Sequence, residues 1–327
     1  MKRTLLLICT LLCANVLLAQ EQLAVLKHND STSVFYGASA FEQAYTAATH
    51  GDIITLSDGI FSTPQYVKKG ITVRGNGTVA DTARKSTGTY FMEDFIVSNL
   101  GDSLQFSAEG IYFDYLSLGS AYDVNLTRCY VHTFYQNGGV QATNCIIRTS
   151  LYGTLSNNNT YINCVLLSLN NSSPYILPYY AICNNCIILG THDTQGSHYG
   201  QFQYNNCIIM RKGISSDTIL HGIINNSVLI GFTGTNGPAS SGNVAMSLSD
   251  VFENWDGESL STDLETYVLK SSVSDSIQSL DGSEVGIFGG FMPFDWRPSY
   301  SIIKRFNVAN RTTADGKLSV DIEVISE

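Results

Sequence analysis

The stretch THDTQGSHYG (191–200) brings His192, Asp193 and His198 close together, and Arg211 and Lys212 follow one strand later. An imidazole can take a proton from a carbon beside a carboxylate, and a guanidinium can neutralise that carboxylate as charge develops. These residue types therefore suit metal-free elimination on a uronate, with His192 or His198 as base and Arg211 as clamp. They equally suit a solvated polar loop. A second group lies in SSPYILPYYA (172–181), where Tyr175, Tyr179 and Tyr180 are set between Pro174 and Pro178. Tyrosine faces can stack on sugar rings and are common at contact surfaces, although tyrosine is also an ordinary strand residue. Arg148 and Arg128 could hold an acidic glycan or simply keep the surface soluble. His132 and His221 read as single surface histidines.

Other chemistries find less support. A calcium site needs several oxygen ligands, yet between Val124 and Ser249 the only acids are Asp193 and Asp217. Earlier acids (Glu93, Asp94, Asp102, Glu109, Asp114, Asp123) form no repeat-aligned cluster. No metal ligand set and no cofactor is therefore expected, and calcium would enter only with a lyase activity. Glycoside hydrolysis needs two facing carboxylates; Asp193 and Asp217 sit at different offsets within their repeats, which does not suit a facing pair.

The elements that must carry these residues repeat. The phrase "Asn, Cys, two aliphatics" recurs at Cys145, Cys164, Cys186 and Cys207, with Cys129 before them and Ser227 after them in the same slot. The steps are 16, 19, 22, 21 and 20 residues. A period near twenty with short β-type runs and no room for a helix points to a solenoid of stacked coils. The expected fold is all-β: a single-stranded right-handed parallel β-helix. The asparagine before each cysteine (Asn144, Asn163, Asn185, Asn206, Asn226) suits a left-handed bend, and stacking predicts a ladder of amides, each bonded to the next. The cysteines should point inward as free thiols, since parallel side-chain vectors make poor disulfides. Cys183 and Cys186 form the one CxxC pair, which also suits redox or metal chemistry. Alternation puts Val131, Ile147, Leu166, Ile188, Ile209 and Leu229 inside. It puts Tyr130, Ile146, Val165, Ile187, Ile208 and Val228 outside, and then His132, Arg148, Leu167, Leu189, Met210 and Ile230. So large an apolar flank must be covered by the C-terminal tail, the N-terminal arm or a partner subunit.

The ends need caps. Residues 37–51 read as an amphipathic helix with a Ser39–Glu42 capping box, an apolar face of Phe41, Ala44, Tyr45 and Ala48, and Gly51 as stop. The strands GDIITLSDGIF (51–61) and KKGITVRGNG (68–77) follow. This block resembles the opening cap of right-handed β-helix proteins of the pectin-lyase-like superfamily. Residues 249–290 resemble the closing segment of secreted bacterial β-helix repeat proteins, the matching positions being Phe252, Asn254, Tyr267, Leu269, Gly286, Phe288 and Gly289. Residues 291–327, with SIIKRFNVAN and KLSVDIEVI joined by TTADG, resemble the two-strand tail of such proteins from Bacteroidetes. The resemblance implies a fold that hosts lyases, hydrolases, epimerases, adhesins and inert scaffolds.

Residues 1–19 read as a signal peptide, with Lys2 and Arg3 before a short apolar run and Ala19 at the cleavage point. The expected organisation is thus 1–19 leader, 20–36 N-terminal arm, 37–290 β-helix and 291–327 tail. Only 14% of the 327 residues are charged, and the formal net charge is −10. Such a surface repels nucleic acid and anionic lipid, and no later stretch is long and apolar enough to span a membrane. The sequence therefore leads to a secreted or cell-surface protein, with the periplasm as the alternative place. It presents a binding face to a glycan or protein partner without catalysis; the alternative is a polysaccharide lyase or related uronate-active enzyme.

Overall fold

The computed structural model describes residues 22–327 except 82–85, 99, 102–103, 120–122, 137, 153–158, 168–180, 192–201, 212–218, 233, 237–239, 256–262, 298–301, 309–315, 318–319 and 326–327. At some further strand positions only the backbone is described. The expected leader at 1–19 lies outside these residues.

The chain forms a parallel β-solenoid with few, short helices. Each coil gives one strand to each of two long sheets. In sheet 1 the parallel strands run from Ile53–Leu56 through Thr72–Arg74, Phe106–Glu109, Val124–Thr127, Val140–Thr143, Asn159–Ile162, Ala181–Asn184 and Phe202–Asn205 to Ile223–Asn225. Sheet 2 has ten strands, from Gly59–Ile60 through Thr89–Val97, Tyr112–Leu118, Tyr130–Gln136, Ile146–Tyr152, Val165–Leu167, Ile187–Thr191 and Ile208–Arg211 to Val228–Ile230 and Val244–Met246. Partners are in register by repeat slot: Tyr112, Tyr130, Ile146, Val165, Ile187, Ile208 and Val228 form one row.

The inward positions form one continuous core. Val131, Ile147, Leu166, Ile188, Ile209 and Leu229 are buried there with Cys129, Cys145, Cys164, Cys186 and Cys207. In the first coils the interior is aromatic, with Phe91 stacked on Phe113 at 5.7 Å and Phe41 edge-on to Phe91 at 4.9 Å. All six described cysteines are free and buried. They do more than fill space. The Cys129 thiol donates to the carbonyls of Thr127 (3.3 Å) and Ala108 (3.5 Å), and Cys164, Cys186 and Cys207 repeat the pattern. The Cys207 amide donates to the Ser227 hydroxyl at 3.0 Å, which in turn donates a hydrogen bond to the Asn225 carbonyl at 2.9 Å. The slot thus satisfies backbone groups at the bend, which is why serine can replace cysteine there.

The asparagines at the bends have left-handed backbones, with φ between 46° and 56° at Asn144, Asn163, Asn185, Asn206 and Asn226. Arg128 takes the same conformation at φ 52°. The expected amide ladder, however, runs one residue earlier. Asn205 donates to Asn184 (2.8 Å) and Asn225 donates to Asn205 (3.1 Å). The bend asparagines point elsewhere because their side chains lie at the corner between the sheets, where the C-terminal segment passes. Asn163 Nδ2 donates to the carbonyls of Ile287 (2.8 Å) and Gly289 (2.7 Å). Asn144 donates to Pro293, Asn226 to Gln278, and Asn206 Oδ1 accepts from Leu280.

That segment is the cover that the apolar flank requires. Val251, Phe252, Trp255, Tyr267, Leu269, Val273, Ile277, Val285, Ile287 and Phe294 bury Ile146, Val165, Ile187, Ile208 and Val228 in a second core outside the solenoid. The closing stretch therefore lies across the flank, and its described residues add no coil to the two sheets beyond Val244–Met246. Its glycines are forced by close approach. A Cβ on Gly289 would fall 1.5 Å from the Glu284 carbonyl oxygen, and one on Gly286 (φ 80°) would fall 2.9 Å from Ile208.

At the other end the arm folds back as a hairpin, Leu23–His28 with Ser31–Tyr36, and the first of these strands pairs antiparallel with Ile53–Leu56. This blunts the edge of sheet 1. A helix, Ala40–Ala47, follows, with Phe41, Ala44 and Tyr45 buried as its pattern predicts. The expected capping box does not form. Ser39 makes no side-chain bond to the helix backbone; its hydroxyl accepts from Gln43 Nε2 at 2.8 Å. The helix stops at Ala48, before Gly51, and Lys69 Nζ caps it by bonding the carbonyls of Tyr45, Thr46 and Ala48. Near the C-terminus, Ile302–Val308 and Val320–Ile325 pair antiparallel.

Candidate functional site on the outer face of sheet 2

The sequence-predicted residues fall unevenly. His192, His198, Tyr175, Tyr179 and Tyr180 lie outside the described residues. Arg211 ends the strand Ile208–Arg211, paired with Thr191, and its side chain is not among those described. Arg148 is described and half-buried, and it follows His132 in one outward row, as the repeat register predicts; the Asp114 partner and the tyrosine stack that complete the cluster were not read from the sequence.

The cluster arises because outward side chains on neighbouring coils share a row, with coils stacked about 4.8 Å apart. In one row Tyr112 and Tyr130 stack with ring centres 5.0 Å apart, and Tyr90 adjoins Tyr112 at 5.4 Å. In the next outward row His132 faces Asp114 on one side and Arg148 on the other. His132 Nδ1 lies 3.2 Å from Asp114 Oδ1 and 3.4 Å from the Tyr112 hydroxyl. A protonated Nδ1 serves Asp114 first, since the carboxylate is both nearer and charged.

Electrostatics keep the tyrosines neutral. Burial, then the Asp114 charge, pushes the Tyr112 hydroxyl up to about 12. Burial raises Tyr130 too, and the Arg148 charge and hydrogen bond partly offset the rise. Both phenols therefore act as hydrogen-bonding groups at neutral pH. The cluster thus sets the His132 imidazole between the Asp114 carboxylate and the Arg148 guanidinium. The cluster lies where the cover ends: Pro293 and Phe294 reach the coils of Asn144 and Tyr130, and Tyr112 only borders the outer core.

Two cavities occur elsewhere among the described residues. One, of about 480 Å³, lies at the N-terminal cap beside His28, Thr49, His50 and Asp52. Its polar groups are spent on the cap. Asp52 accepts from the Thr49 amide (2.7 Å) and pairs with His28 Nδ1 (2.9 Å), while His50 Nδ1 accepts from the Gly70 amide. The other, of about 300 Å³, lies on the outer face of sheet 1. Among the described residues no group of three or more His, Cys, Asp or Glu side chains is arranged to hold a metal ion, and no helix is long and apolar enough to cross a membrane. Cys183 and Cys186 are both buried, and burial raises their thiols, so the pair has no exposed thiolate for redox chemistry. No protein-family model, curated protein or solved structure matches this chain.

Proposed function

We propose that this is a secreted or cell-surface, non-catalytic solenoid that binds a uronate-containing glycan along the uncovered part of the outer face of sheet 2. The observation that carries this reading is the row Asp114, His132 and Arg148 beside the stacked Tyr90, Tyr112 and Tyr130. Arg148 offers a fork for a carboxylate. Tyr90 and Tyr112, half-buried, offer hydroxyl edges at the coil spacing, while Tyr130 is buried under the end of the cover and backs Tyr112 by stacking. The proposal includes the right-handed winding and the kinship with pectin-lyase-like proteins of Bacteroidetes that the sequence patterns suggest.

The second reading, a uronate-active lyase, is favoured by the Asp114–His132 pair, since a carboxylate-oriented imidazole beside an arginine is the equipment of proton abstraction. The expected use of His192, His198 and Arg211, and of calcium, belongs to that reading.

One assay separates the two. Purified protein is incubated with a panel of polyuronates, with and without calcium, while binding is followed by retardation in polysaccharide-loaded native gels. Retardation by a polyuronate without a rise in ultraviolet absorbance is the expected result, and Arg148→Ala should weaken retardation about tenfold or more. A rise in absorbance would establish the lyase instead. Absence of retardation on every polyuronate would remove the binding proposal.

A further inference from the structure

The hairpin that closes the N-terminal end of sheet 1 leaves an edge of its own. Its outer strand, Ser31–Tyr36, is the terminal strand of the sheet and pairs on one side only, with Leu23–His28. In an antiparallel pair, bonded and non-bonded residue pairs alternate. The Gly37 amide donates to the Gln22 carbonyl at 2.9 Å, so Phe35, Ser33 and Ser31 bond back to Ala24, Leu26 and His28. Thr32, Val34 and Tyr36 therefore aim their N–H and C=O groups away from the sheet, where no described residue meets them. Their side chains stand opposite Lys27, Val25 and Leu23 on the outer face. Val34 and Tyr36 are 45% and 51% exposed. Edge strands are ordinarily protected by a charge, a proline or a bulge. The stretch STSVFY has no charged residue and no proline, and its register with its partner is unbroken. The three residues that face the open side are β-branched or aromatic, the types that favour strand pairing.

We infer that this strand is a dimerisation edge whose occupant is the same strand of a second copy, running antiparallel across a twofold axis at Val34. That register sets Val34 opposite Val34 of the second copy, and Thr32 opposite its Tyr36. All three positions then form bonded pairs, so every open amide and carbonyl on both strands finds a partner. Charge supports a second copy at this place. The chain carries a formal net charge of −10, which drives two copies apart over much of their surfaces. This seam brings no like charges together, because Asp30 comes opposite Ala38 of the second copy and Lys27 lies one strand farther back. One strand pair falls well short of the roughly 800 Å² a side of a standard interface, so the dimer is a weak one that grows with concentration.

The test is analytical ultracentrifugation of the whole protein over a wide concentration range, beside Val34→Pro and Val34→Lys. Neither change touches a hydrogen bond of the hairpin, because the Val34 amide points to the open side. Proline removes a donor there, and lysine sets two ammonium groups face to face across the twofold. Both variants are first checked for an unchanged melting temperature. Oxidative cross-linking of Val34→Cys and Thr32→Cys reads the register, since the six described native cysteines are buried. The expected result is that the wild type passes from monomer to dimer and no further. Both Val34 variants should weaken the dimer tenfold or more, and Val34→Cys should cross-link while Thr32→Cys, which faces Tyr36, does not. Four outcomes overturn the inference: a wild type that is monomeric throughout, association unchanged in both Val34 variants, growth beyond the dimer, or equal cross-linking at both positions. A monomer that instead captures a fluorescein-labelled peptide of alternating Thr and Val, and loses it in Val34→Pro, would give the edge to a foreign strand and overturn the second copy as its occupant.

Discussion

At the scale of single residues, the bend asparagines have two separable jobs. Asn163 holds φ 49° and also donates two hydrogen bonds to the cover. A left-handed backbone costs an ordinary residue about 1–2 kcal/mol, and each bond contributes about 1 kcal/mol. Asn163→Ala should therefore destabilise by roughly 3 kcal/mol, while Asn163→Gly, which relieves the backbone, should lose only about 2 kcal/mol. Urea denaturation of both variants measures the difference; equal losses would mean that the backbone conformation is not the issue. Cysteine chemistry gives a second expectation. Burial pushes the thiols of Cys129, Cys145, Cys164 and Cys186 well up. Little thiolate forms at neutral pH, so a disulfide-exchange reagent should label none of the six described thiols in the native protein and all of them in denaturant. Rapid native labelling would place at least one of them at the surface.

Asp52 gives a pH dependence at the same scale. Its burial opposes ionisation, but the Thr49 amide and His28 outweigh that effect and hold the carboxyl below its ordinary value. A carboxyl depressed by folding stabilises the protein at pH values above its unfolded pKa, near 3.9. That stability is lost as pH falls through the lower folded value. Between pH 5 and pH 3 the wild-type melting temperature should drop more than that of Asp52→Asn. Parallel curves for the two proteins would show that the Asp52 contacts carry no linkage.

At the scale of elements, the most consequential piece is the cover. Phe252 and Tyr267 are fully buried against the outer row of sheet 2. Phe252→Ala should cost about 3–5 kcal/mol. Ending the chain after Met246 would bare Ile187, Ile208, Val228, Leu189, Met210 and Ile230 together. Such a patch drives association, so the shortened protein should bind a hydrophobic dye and elute as oligomers in size-exclusion chromatography. A monomer that leaves the dye dark would mean that the outer core is dispensable. The helix Ala40–Ala47 illustrates the opposite balance. Its apolar face was legible from spacing, because burial follows the 3.6-residue period. Its caps were not, because the bonds come from Gln43 within the helix and from Lys69 on a later coil.

At the scale of the whole molecule, the solenoid offers two long faces of different chemistry. Sheet 2 is apolar and sealed over its C-terminal coils, and carries the Asp114–His132–Arg148 row over the earlier ones. Sheet 1 is polar and open. A protein built this way can meet an extended polymer along its length, which is the basis of the binding function proposed above.

The sequence by itself determined the coil. A period near twenty, cysteines in one slot, asparagine at the bend and strict in–out alternation leave one way to bury the aliphatic residues, and local backbone preference and hydrophobic burial agree on it. It also showed that the outer row of sheet 2 needed a cover, because apolar area must leave water. Tertiary structure alone decided which segment supplies that cover, where the bend amides send their hydrogen bonds, and that His132, which the repeat already set in one row with Arg148, pairs with Asp114 on the coil before it. Arg148 lies one 16-residue repeat step after His132, so the cysteine slots announce that neighbour. Asp114 lies 18 positions before His132, on a coil with no cysteine in the slot, and only the register of the stacked strands brings it to the same row.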